Sequence, residues 1–453
     1  MSAPDISLDA IRTCLEGVIP SWVATCSRDG TPNVTLLSQV HYVDPRHVAL
    51  SYQFFNKTRE NVLATARATV QVVDPVTGAV YRLSLQYLRT ESEGPLFESM
   101  KAKLAGIASH TGMEAVFRLL GSDIYRVLDI ERAPSGRLAA PAAPRSLLNA
   151  IRHCCAGLGA GAELDGMLDR LLSDLQMHLG IEHSMVLMAD ETRGCLFTVA
   201  SRGYDASGVG SEIPIGQGVI GVAARERTPI RIAHMATEYG YSRAVRARIN
   251  QLGLSGILET EIPWPGLTEP HSQIAVPILA GQRLIGVLFA ESPKDMQFGY
   301  DDEDALATIT SQIGTAVLAL QSAAAAADES RAPPPARTQP QGPPVAIRRY
   351  AADDSVFIEQ DYLIKGVAGA IFWKLVSEYA REQRTEFTNR ELRLDPALRL
   401  PDVSENLEAR LVLLERRLVE RCPFVRIEKS GRGRFRLAVK RPLKLVNVGD
   451  ASD

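Results

Sequence analysis

Basic residues near the end of the sequence have the density that a nucleic-acid-binding surface needs. Residues 410–444 hold twelve lysines and arginines and only three glutamates, a local charge of +9 in a chain with a formal net charge of −3. Such a concentration is typical of a surface that binds phosphates. The candidate DNA contacts are Arg410, Arg416, Arg417, Arg432 and Arg434. A solvated basic face is the alternative interpretation.

The pattern around these arginines predicts three helices and a hairpin. Residues 361–401 indicate an amphipathic helix, a turn and a second short helix, for which Thr388 is the expected N-cap. Residues 404–422 predict a third helix with a leucine stripe on its buried face. Its outer face is expected to carry Arg410, Arg416, Arg417 and Arg421. The alternation around Ser430 and Gly431 then predicts a β-hairpin.

This region resembles the OmpR/PhoB-type winged-helix domain over about residues 350 to 440. The resemblance implies a winged helix-turn-helix in which Arg410 and Arg417 face DNA from the recognition helix. It also implies that Arg432 and Arg434 lie on the wing. Glu415 departs from the family, which usually has a basic residue there, and no phosphoacceptor domain precedes this region.

A second candidate site lies in the N-terminal part, where strand-forming runs and turns flank residues 54–66. A short helix that begins near Lys57 and Thr58 offers backbone N–H groups, an ammonium group, a hydroxyl group and Arg59. Such a helix start can bind an anion. A solvated helix start is the alternative.

The order of hairpin, strand, NKTREN and second hairpin resembles the pyridoxamine-phosphate-oxidase-like FMN-binding split barrel, over about residues 10 to 130. The resemblance implies a β split barrel with helices, in which FMN is the cofactor and its phosphate is held by Lys57 and Thr58. Ser51 and Gln53 are the implied lining residues. No set of residues commits this domain to oxidase chemistry, so a role as a sensor or dimerisation platform stays open.

Haem is the second cofactor that this resemblance admits, because some members of the superfamily bind it. His41 and His47 are the candidate ligands. Each lies beside a turn, where a histidine is expected to be exposed, so FMN is favoured over haem.

The middle of the chain combines a leucine-rich helix, strand runs, a glycine turn and a closing helix. Gly216, Gly218 and Gly221 form G-x-G-x-x-G, but no βαβ context surrounds them, so they predict a turn into a helix. With "AVPIL" and "GVLFAES", this order resembles the GAF sensory fold over about residues 163 to 321. The resemblance implies an α+β domain with a pocket for a small molecule of unknown identity.

Residues 234–270 would lie over the pocket in a GAF fold. In that position Tyr241, Arg243, Arg246 and Arg248 could hold an anionic effector, while Trp264 could cover an aromatic one. The alternative is that these residues are surface charges and core aromatics.

Composition divides the chain into three domains and two linkers. The expected boundaries are 1–132 for the split barrel, 133–162 for a linker, 163–321 for the GAF domain, 322–347 for an Ala/Pro-rich linker and 348–446 for the winged helix. No apolar run reaches the roughly 20 residues of a membrane helix, and no secretory signal is recognised, so a cytoplasmic location is expected. The six scattered cysteines show no metal-ligand spacing.

The features together predict a one-component transcriptional regulator that binds double-stranded DNA as a homodimer. A small-molecule or redox signal, sensed by the barrel or the GAF domain, would control the winged helix. The alternative is a flavin-dependent oxidoreductase with regulatory appendages, and a third reading makes the winged helix a protein-interaction module.

Overall fold

The computed structural model describes most, but not all, of the chain. The described residues are 6–17, 19–53, 56–110, 119–134, 136, 138–139, 146–158, 163–233, 262–326, 340–398, 407–431 and 433–448, with the backbone alone at 105–110, 322–326 and 397. The predicted site residues outside this set are Tyr241, Arg243, Arg246, Arg248 and Arg432. The Pro-rich part of the second linker, 327–339, also lies outside it.

The N-terminal domain is built on one seven-stranded antiparallel sheet in the order β2-β1-β5-β6-β7-β4-β3. The strands are β1 (Ser21–Cys26), β2 (Pro32–Leu37), β3 (Val40–Asp44), β4 (His47–Tyr52), β5 (Arg67–Val73), β6 (Val80–Glu91) and β7 (Gly121–Arg132). A 3₁₀ helix (Asp9–Leu15) and the helices α1 (Lys57–Thr65) and α2 (Pro95–His110) flank them. Gly30, at φ +90°, forms the predicted turn of the first hairpin.

The middle domain has a six-stranded antiparallel sheet in the order β10-β9-β8-β13-β12-β11. The strands are β8 (His183–Asp190), β9 (Cys195–Arg202), β10 (Glu212–Pro214), β11 (Ile230–Ile232), β12 (Ser272–Ala280) and β13 (Arg283–Ser292). The helices are α3 (Leu147–Ala156), α4 (Leu164–Leu179), α5 (Gly218–Glu226) and α6 (Tyr300–Ala326). The apolar face of α4 packs in the same hydrophobic core as side chains of this sheet, as the spacing of its apolar residues predicts.

The glycine motif turns the chain from β10 into α5, as predicted. Gly216 has φ +90° and Gly218 has φ +61°, conformations that favour glycine. At Gly221 an added Cβ would lie 2.3 Å from the Pro214 carbonyl oxygen, so only glycine allows this close helix–strand approach.

Helix α3 corrects the prediction that residues 133–162 form a linker. The Ser146 side chain caps this helix by accepting a hydrogen bond from the Asn149 N–H at 3.3 Å. Ala150 and Cys154 are buried in the core shared with α4 and α6. The sequence before this helix is rich in alanine and proline, which favours a linker, so the amphipathic pattern of residues 147–156 was not recognised.

The C-terminal region contains two sheets around three helices. A four-stranded sheet has the order β16-β15-β14-β20, and a three-stranded sheet has the order β17-β19-β18. The strands are β14 (Val345–Tyr350), β15 (Ser355–Ile358), β16 (Asp361–Ile364), β17 (Glu386–Thr388), β18 (Val425–Gly431), β19 (Arg434–Val439) and β20 (Leu443–Val448). The helices are α7 (Gly366–Glu382), α8 (Asn389–Leu394) and α9 (Leu407–Arg421), with a 3₁₀ turn at Pro396–Leu398.

Two local predictions for this region have different outcomes. Thr388 caps α8 as predicted, because its hydroxyl accepts from the Glu391 N–H at 3.2 Å. The predicted first helix begins too early, because residues 361–364 form β16 and α7 starts at Gly366. Ile364 belongs to β16 and its side chain is buried, but its position in the sequence also matches the helical spacing of the apolar residues in α7.

Buried charges join the N-terminal and middle domains. Arg231 of β11 is 0% exposed and donates to Glu16 at 2.6 Å and to Glu303 at 2.8 Å. Lys103 of α2 donates to the Tyr300 hydroxyl at 3.0 Å. The Tyr300 N–H in turn donates to Glu16 at 2.7 Å, so groups from both domains form one buried network.

The middle and C-terminal domains share one hydrophobic core. This core includes Leu168 and Val276 of the middle domain, as well as Ile371 and Leu414 of the C-terminal domain. Helix α9 lies at the boundary, in contact with α4 and β9 on one side and with α7, β16 and β18 on the other.

Candidate functional site

A cavity of about 100 Å³ opens in the N-terminal domain between the end of β4 and the start of α1. Ser51, Gln53 and Thr58 line it, so the structure brings three of the four predicted residues together. Lys57 is exposed at the first position of α1, directly before Thr58. The side chain of Asn56 caps this helix, which fixes where its first turn points.

Hydrogen bonds hold the polar side chains of this cavity. The Gln53 Nε2 donates to Ser38 at 2.9 Å and to Ser51 at 3.4 Å. The Thr58 hydroxyl accepts from Asn33 Nδ2 at 2.8 Å. Within the described residues, the buried Gln53 Oε1 has no partner, so this cavity contains an acceptor that a bound group could satisfy.

Arg59 and Asp123 form an ion pair at this cavity that the sequence analysis did not predict. Arg59 also donates to Thr90 at 3.0 Å, and its guanidinium carbon lies 3.8 Å from the centre of the Tyr52 ring. Burial opposes the charge of Arg59, but the hydrogen bond and charge of Asp123 outweigh it and raise the pKa of Arg59. Arg59 is therefore engaged within the protein. In the described part of the chain, no carboxylate lies within ion-pair distance of Lys57.

Trp264 is the one predicted effector residue of the middle domain that can be located. Its ring lies 5.8 Å from that of Phe289 in an edge-on arrangement and packs on a cluster of buried side chains from the sheet and α5. Trp264 thus packs against one face of the sheet. Its role toward an effector stays a prediction.

Arg410 and Arg417 correct the expectation that the outer face of the third helix is exposed. They are 4% and 3% exposed. Arg410 donates to Asp190 at 2.5 Å and lies 3.9 Å from the centre of the Phe197 ring. Arg417 donates to the Leu363 carbonyl oxygen at 3.0 Å. Arg417 also pairs with Glu420 at 2.9 Å. The sequence could not reveal that these two arginines are buried, because Asp190 and Leu363 lie 220 and 54 residues away from them.

Arg416 and Lys429 contact carboxylates of the middle domain. Arg416 donates to Asp165 and Asp169 of α4, both at 2.7 Å. Lys429 of β18 donates to Glu163 at 2.5 Å. The middle domain therefore occupies basic groups of both the helix and the hairpin.

The pKa values of three charged groups on α9 are shifted in different directions. For Arg416, burial opposes the charge, but Asp165 and Asp169 outweigh it and raise the pKa. Burial lowers the pKa of Arg417. Burial raises the pKa of Glu415, whose position already departs from the family pattern. The Asp165–Asp169 pair is thus a favourable partner for the charged form of Arg416.

The hairpin β18–β19 follows α9 directly. Gly433, at φ +70°, has a backbone conformation that favours glycine at the turn. Phe435 is buried, with its ring stacked 5.9 Å from that of Phe387, and Leu437 is also buried. Arg434 is half-buried at the start of β19. The hairpin is therefore anchored by apolar residues near a basic turn.

Two family models match the chain. The model of the pyridoxamine 5'-phosphate oxidase family matches residues 7–119, and the GAF domain model matches residues 161–317. The chain contains a pyridoxamine-phosphate-oxidase-like domain and a GAF domain. No curated protein matches the sequence.

Solved structures of both kinds of domain are similar to parts of the chain. An FMN-binding protein from Syntrophomonas wolfei shares 16% identity over 28% of this chain and 86% of its own, with a TM-score of 0.25. The GAF domain of an Acinetobacter phosphoenolpyruvate-protein phosphotransferase shares 16% over 39% and 94%, with a TM-score of 0.31. Free methionine-R-sulfoxide reductase from Neisseria meningitidis shares 17% over 39% and 91%, also with a TM-score of 0.31.

The cavity of the oxidase-like domain fits part of an FMN molecule. The first turn of α1, Lys57 and the Thr58 hydroxyl suit a phosphate, and the unpaired Gln53 Oε1 suits an N–H donor. The volume of this cavity is smaller than that of pockets for ligands of this size, which usually enclose at least about 300 Å³.

The histidines of the oxidase-like domain have other contacts. His41, expected to be exposed, is buried because the Tyr300 ring of the GAF domain covers it at 6.2 Å. Its burial lowers the pKa of His41 well below the usual value. His47 Nδ1 lies 2.8 Å from Asp44 Oδ2. Neither arrangement supports the haem alternative.

The described part of the chain contains no group of three or more histidines, cysteines or acidic residues placed to bind a metal ion. None of its helices combines the length and the apolar composition needed to cross a membrane.

Proposed function

We propose that the chain is a one-component transcriptional regulator. A small-molecule or redox signal sensed by the oxidase-like domain or the GAF domain would control binding of the C-terminal domain to double-stranded DNA. The oxidase-like and GAF domains fit a sensor role.

The element order of the C-terminal region carries this proposal. Helices α7, α8 and α9 are followed by the hairpin β18–β19, and β17, which lies between α7 and α8, pairs with β19. This order supports a winged helix-turn-helix, with α9 as the recognition helix and the hairpin as the wing. The basic residues of α9 and the hairpin supply the charge that phosphate contacts need.

Salt-dependent DNA binding by the full chain tests the proposal. Anisotropy of a fluorescent duplex pool is measured between about 50 and 200 mM salt, where each neutralised phosphate contributes about −0.9 to the logarithmic slope. Arg434→Ala should reduce this slope by about 1. Arg89→Ala, at an exposed arginine of β6, is the matched control and should not change it. If neither the wild type nor the Asp165→Asn/Asp169→Asn variant, which removes two carboxylates that contact Arg416 of α9, binds DNA at low salt, the proposal is wrong.

FMN is the proposed cofactor of the oxidase-like domain, with Lys57 and Thr58 toward its phosphate and Ser51 and Gln53 in the lining. Bound FMN would supply a ring that changes oxidation state. An absorption spectrum, with mass spectrometry of the molecule released on denaturation, tests this. Thr58→Val should lower flavin retention, whereas Thr65→Val at the other end of α1 should not. A colourless protein that takes up no added FMN would refute the cofactor proposal. NADH-dependent turnover would instead favour the oxidoreductase alternative.

A homodimer is the proposed assembly, in which a second copy completes the FMN cavity. Trp22, Val34 and Leu36 are exposed on one face of β1 and β2, and Leu36, 59% exposed, also lines the cavity. Exposed apolar side chains of this kind commonly mark an interaction surface. Val34→Asp should shift the mass measured by light scattering to that of one chain and also reduce flavin retention. A wild type that is monomeric at micromolar concentration would contradict the assembly.

A further inference from the structure

The surface that would bind DNA is occupied by the GAF domain in this structure. We propose that four GAF carboxylates form a clasp that holds α9 and the wing in a closed arrangement, so that DNA binding requires the clasp to open. The clasp consists of Asp190, Asp165, Asp169 and Glu163. This inference rests on the proposed DNA-binding function and names how that function is regulated.

The pair of Asp190 and Arg410 is the buried centre of the clasp. Asp190, at the end of β8, is 1% exposed, and its second oxygen accepts from the Arg193 N–H at 3.0 Å. Removing one partner of a buried pair leaves an uncompensated charge, so the two side chains hold each other in place. Arg410 is one of the arginines that the family resemblance directs toward DNA.

The first two turns of α4 provide the second part of the clasp. Asp165 and Asp169 are four residues apart and both accept hydrogen bonds from Arg416. A guanidinium group binds carboxylates and phosphates through the same planar set of donors. The two carboxylates therefore compete directly with DNA phosphates for Arg416.

Glu163, the N-cap residue of α4, extends the clasp to the wing through Lys429. The side chains of Asp169 and Glu163 are 62% and 56% exposed, whereas Asp190 is buried. Solvent and ions can therefore reach Asp169 and Glu163. Separation of the GAF domain from α9 and the wing can begin at these two residues.

The loop between β9 and β10 connects the clasp to the part of the GAF domain that covers its sheet. An added Cβ at Gly210 would lie 2.5 Å from Ile262 and 3.5 Å from Leu413 of α9. Ser207 in the same loop donates to Glu420 of α9 at 2.5 Å. A displacement of Ile262 would therefore displace this loop against α9.

Removal of the outer carboxylates tests the clasp in the full chain. The double variant Asp165→Asn/Asp169→Asn keeps side-chain shape and removes two charges. Asp174→Asn/Glu182→Gln is the matched control, because it removes two charges at and just after the other end of α4. The first variant should bind duplex DNA about tenfold more tightly than wild type, within the usual range of allosteric coupling. The control should stay within about twofold. Amide hydrogen exchange in α9 should rise in the first variant only.

The outcomes separate the clasp from the proposed function. Equal DNA affinity of wild type and variant, with binding present, overturns the clasp and leaves the DNA-binding function intact. If amide exchange in α9 becomes faster but no variant binds DNA, the DNA-binding function is wrong. The proposed regulatory role of the clasp is then wrong as well. Glu163→Gln, at an exposed residue, is the second variant if the double variant does not fold, and a smaller rise in affinity is expected from it.

Discussion

The two interfaces of the GAF domain use charge in different ways. Toward the oxidase-like domain, Arg231 is fully buried with Glu16 and Glu303. Toward the C-terminal domain, Arg416 and Lys429 reach carboxylates that are largely exposed. A buried network is costly to separate, whereas exposed pairs are individually weak. We infer that the first interface is a fixed joint and that the second is the one that can open, beginning at these exposed pairs, although Arg410 and Asp190 are buried at its centre.

The largest expected effect is the loss of the buried network at the fixed joint. Arg231→Met leaves Glu16 and Glu303 without their partner, which should lower the free energy of unfolding by about 3–5 kcal/mol. Arg381→Met, at an exposed pair with Glu382, should cost under about 1 kcal/mol. Denaturant unfolding of both variants measures this. Similar losses would mean that the buried network contributes no more to stability than an exposed pair does.

The pH dependence of the fixed joint should depend on Lys103. Burial lowers the pKa of Lys103 to about 7, with a further contribution from Arg231 that Glu16 and Glu303 partly offset. In the unfolded chain the pKa of a lysine is about 10.4. Between these values the unfolded chain binds the extra proton, so stability should rise with pH from about 7 to about 10, by up to about 1.4 kcal/mol per pH unit. Below pH 7 this contribution stays at its minimum.

Lys103→Met tests this pH dependence because it removes the titrating group but keeps an apolar side chain of similar length. The rise in unfolding free energy above pH 7 should disappear in this variant, while stability at pH 6 should increase. Lys101→Met, on the exposed face of the same helix, should retain the wild-type profile. A profile unchanged by Lys103→Met would mean that this lysine is not the group responsible.

A smaller effect is expected at the loop that touches α9. Gly210 has φ +91° and no space for a Cβ, so Gly210→Ala should cost about 1–3 kcal/mol of stability and increase exchange in α9. Gly194, at φ +61°, has no atom within 4 Å of an added Cβ, so Gly194→Ala carries backbone strain alone. Comparison of the two variants by hydrogen exchange isolates the contact. Equal exchange in α9 would argue against an effect of this contact on α9.

The smallest expected effect is that of salt on the interface that can open. Raising salt from about 0.1 to 1 M shortens the screening length from about 10 to 3 Å, and each exposed pair loses under about 1 kcal/mol. Exchange in α9 should therefore increase with salt, while exchange in β11 stays constant. An equal response of both elements would contradict the comparison.

Local sequence patterns predicted several turns and helix starts along the chain. The turn at Gly30, the glycine motif at Gly216 and the cap at Thr388 each depend on a few neighbouring residues, and the structure has all three. Ser51, Gln53 and Thr58 also meet, because a strand and the helix after it bring them to one cavity.

Contacts between distant residues explain what the sequence did not predict. The pattern of α9 marks its leucines as buried, but burial of Arg410 requires Asp190, which lies 220 residues away. Asp123, the partner of Arg59, belongs to β7 and lies 64 residues further along the chain. The sheet β14–β16 was missed because its strands are four to six residues long and Ile364 continues the helical spacing of α7.

The parallel pairing of β20 with β14 has a consequence for synthesis of the protein. These strands lie nearly 100 residues apart in the chain, and every residue from Val345 to Tyr350 has its partner in β20. Domains generally form in the order in which the ribosome makes them, and pairings of distant strands form late. The GAF domain would then be folded before the C-terminal sheet is complete, so a nascent α9 would meet the carboxylates of the clasp before it could meet DNA.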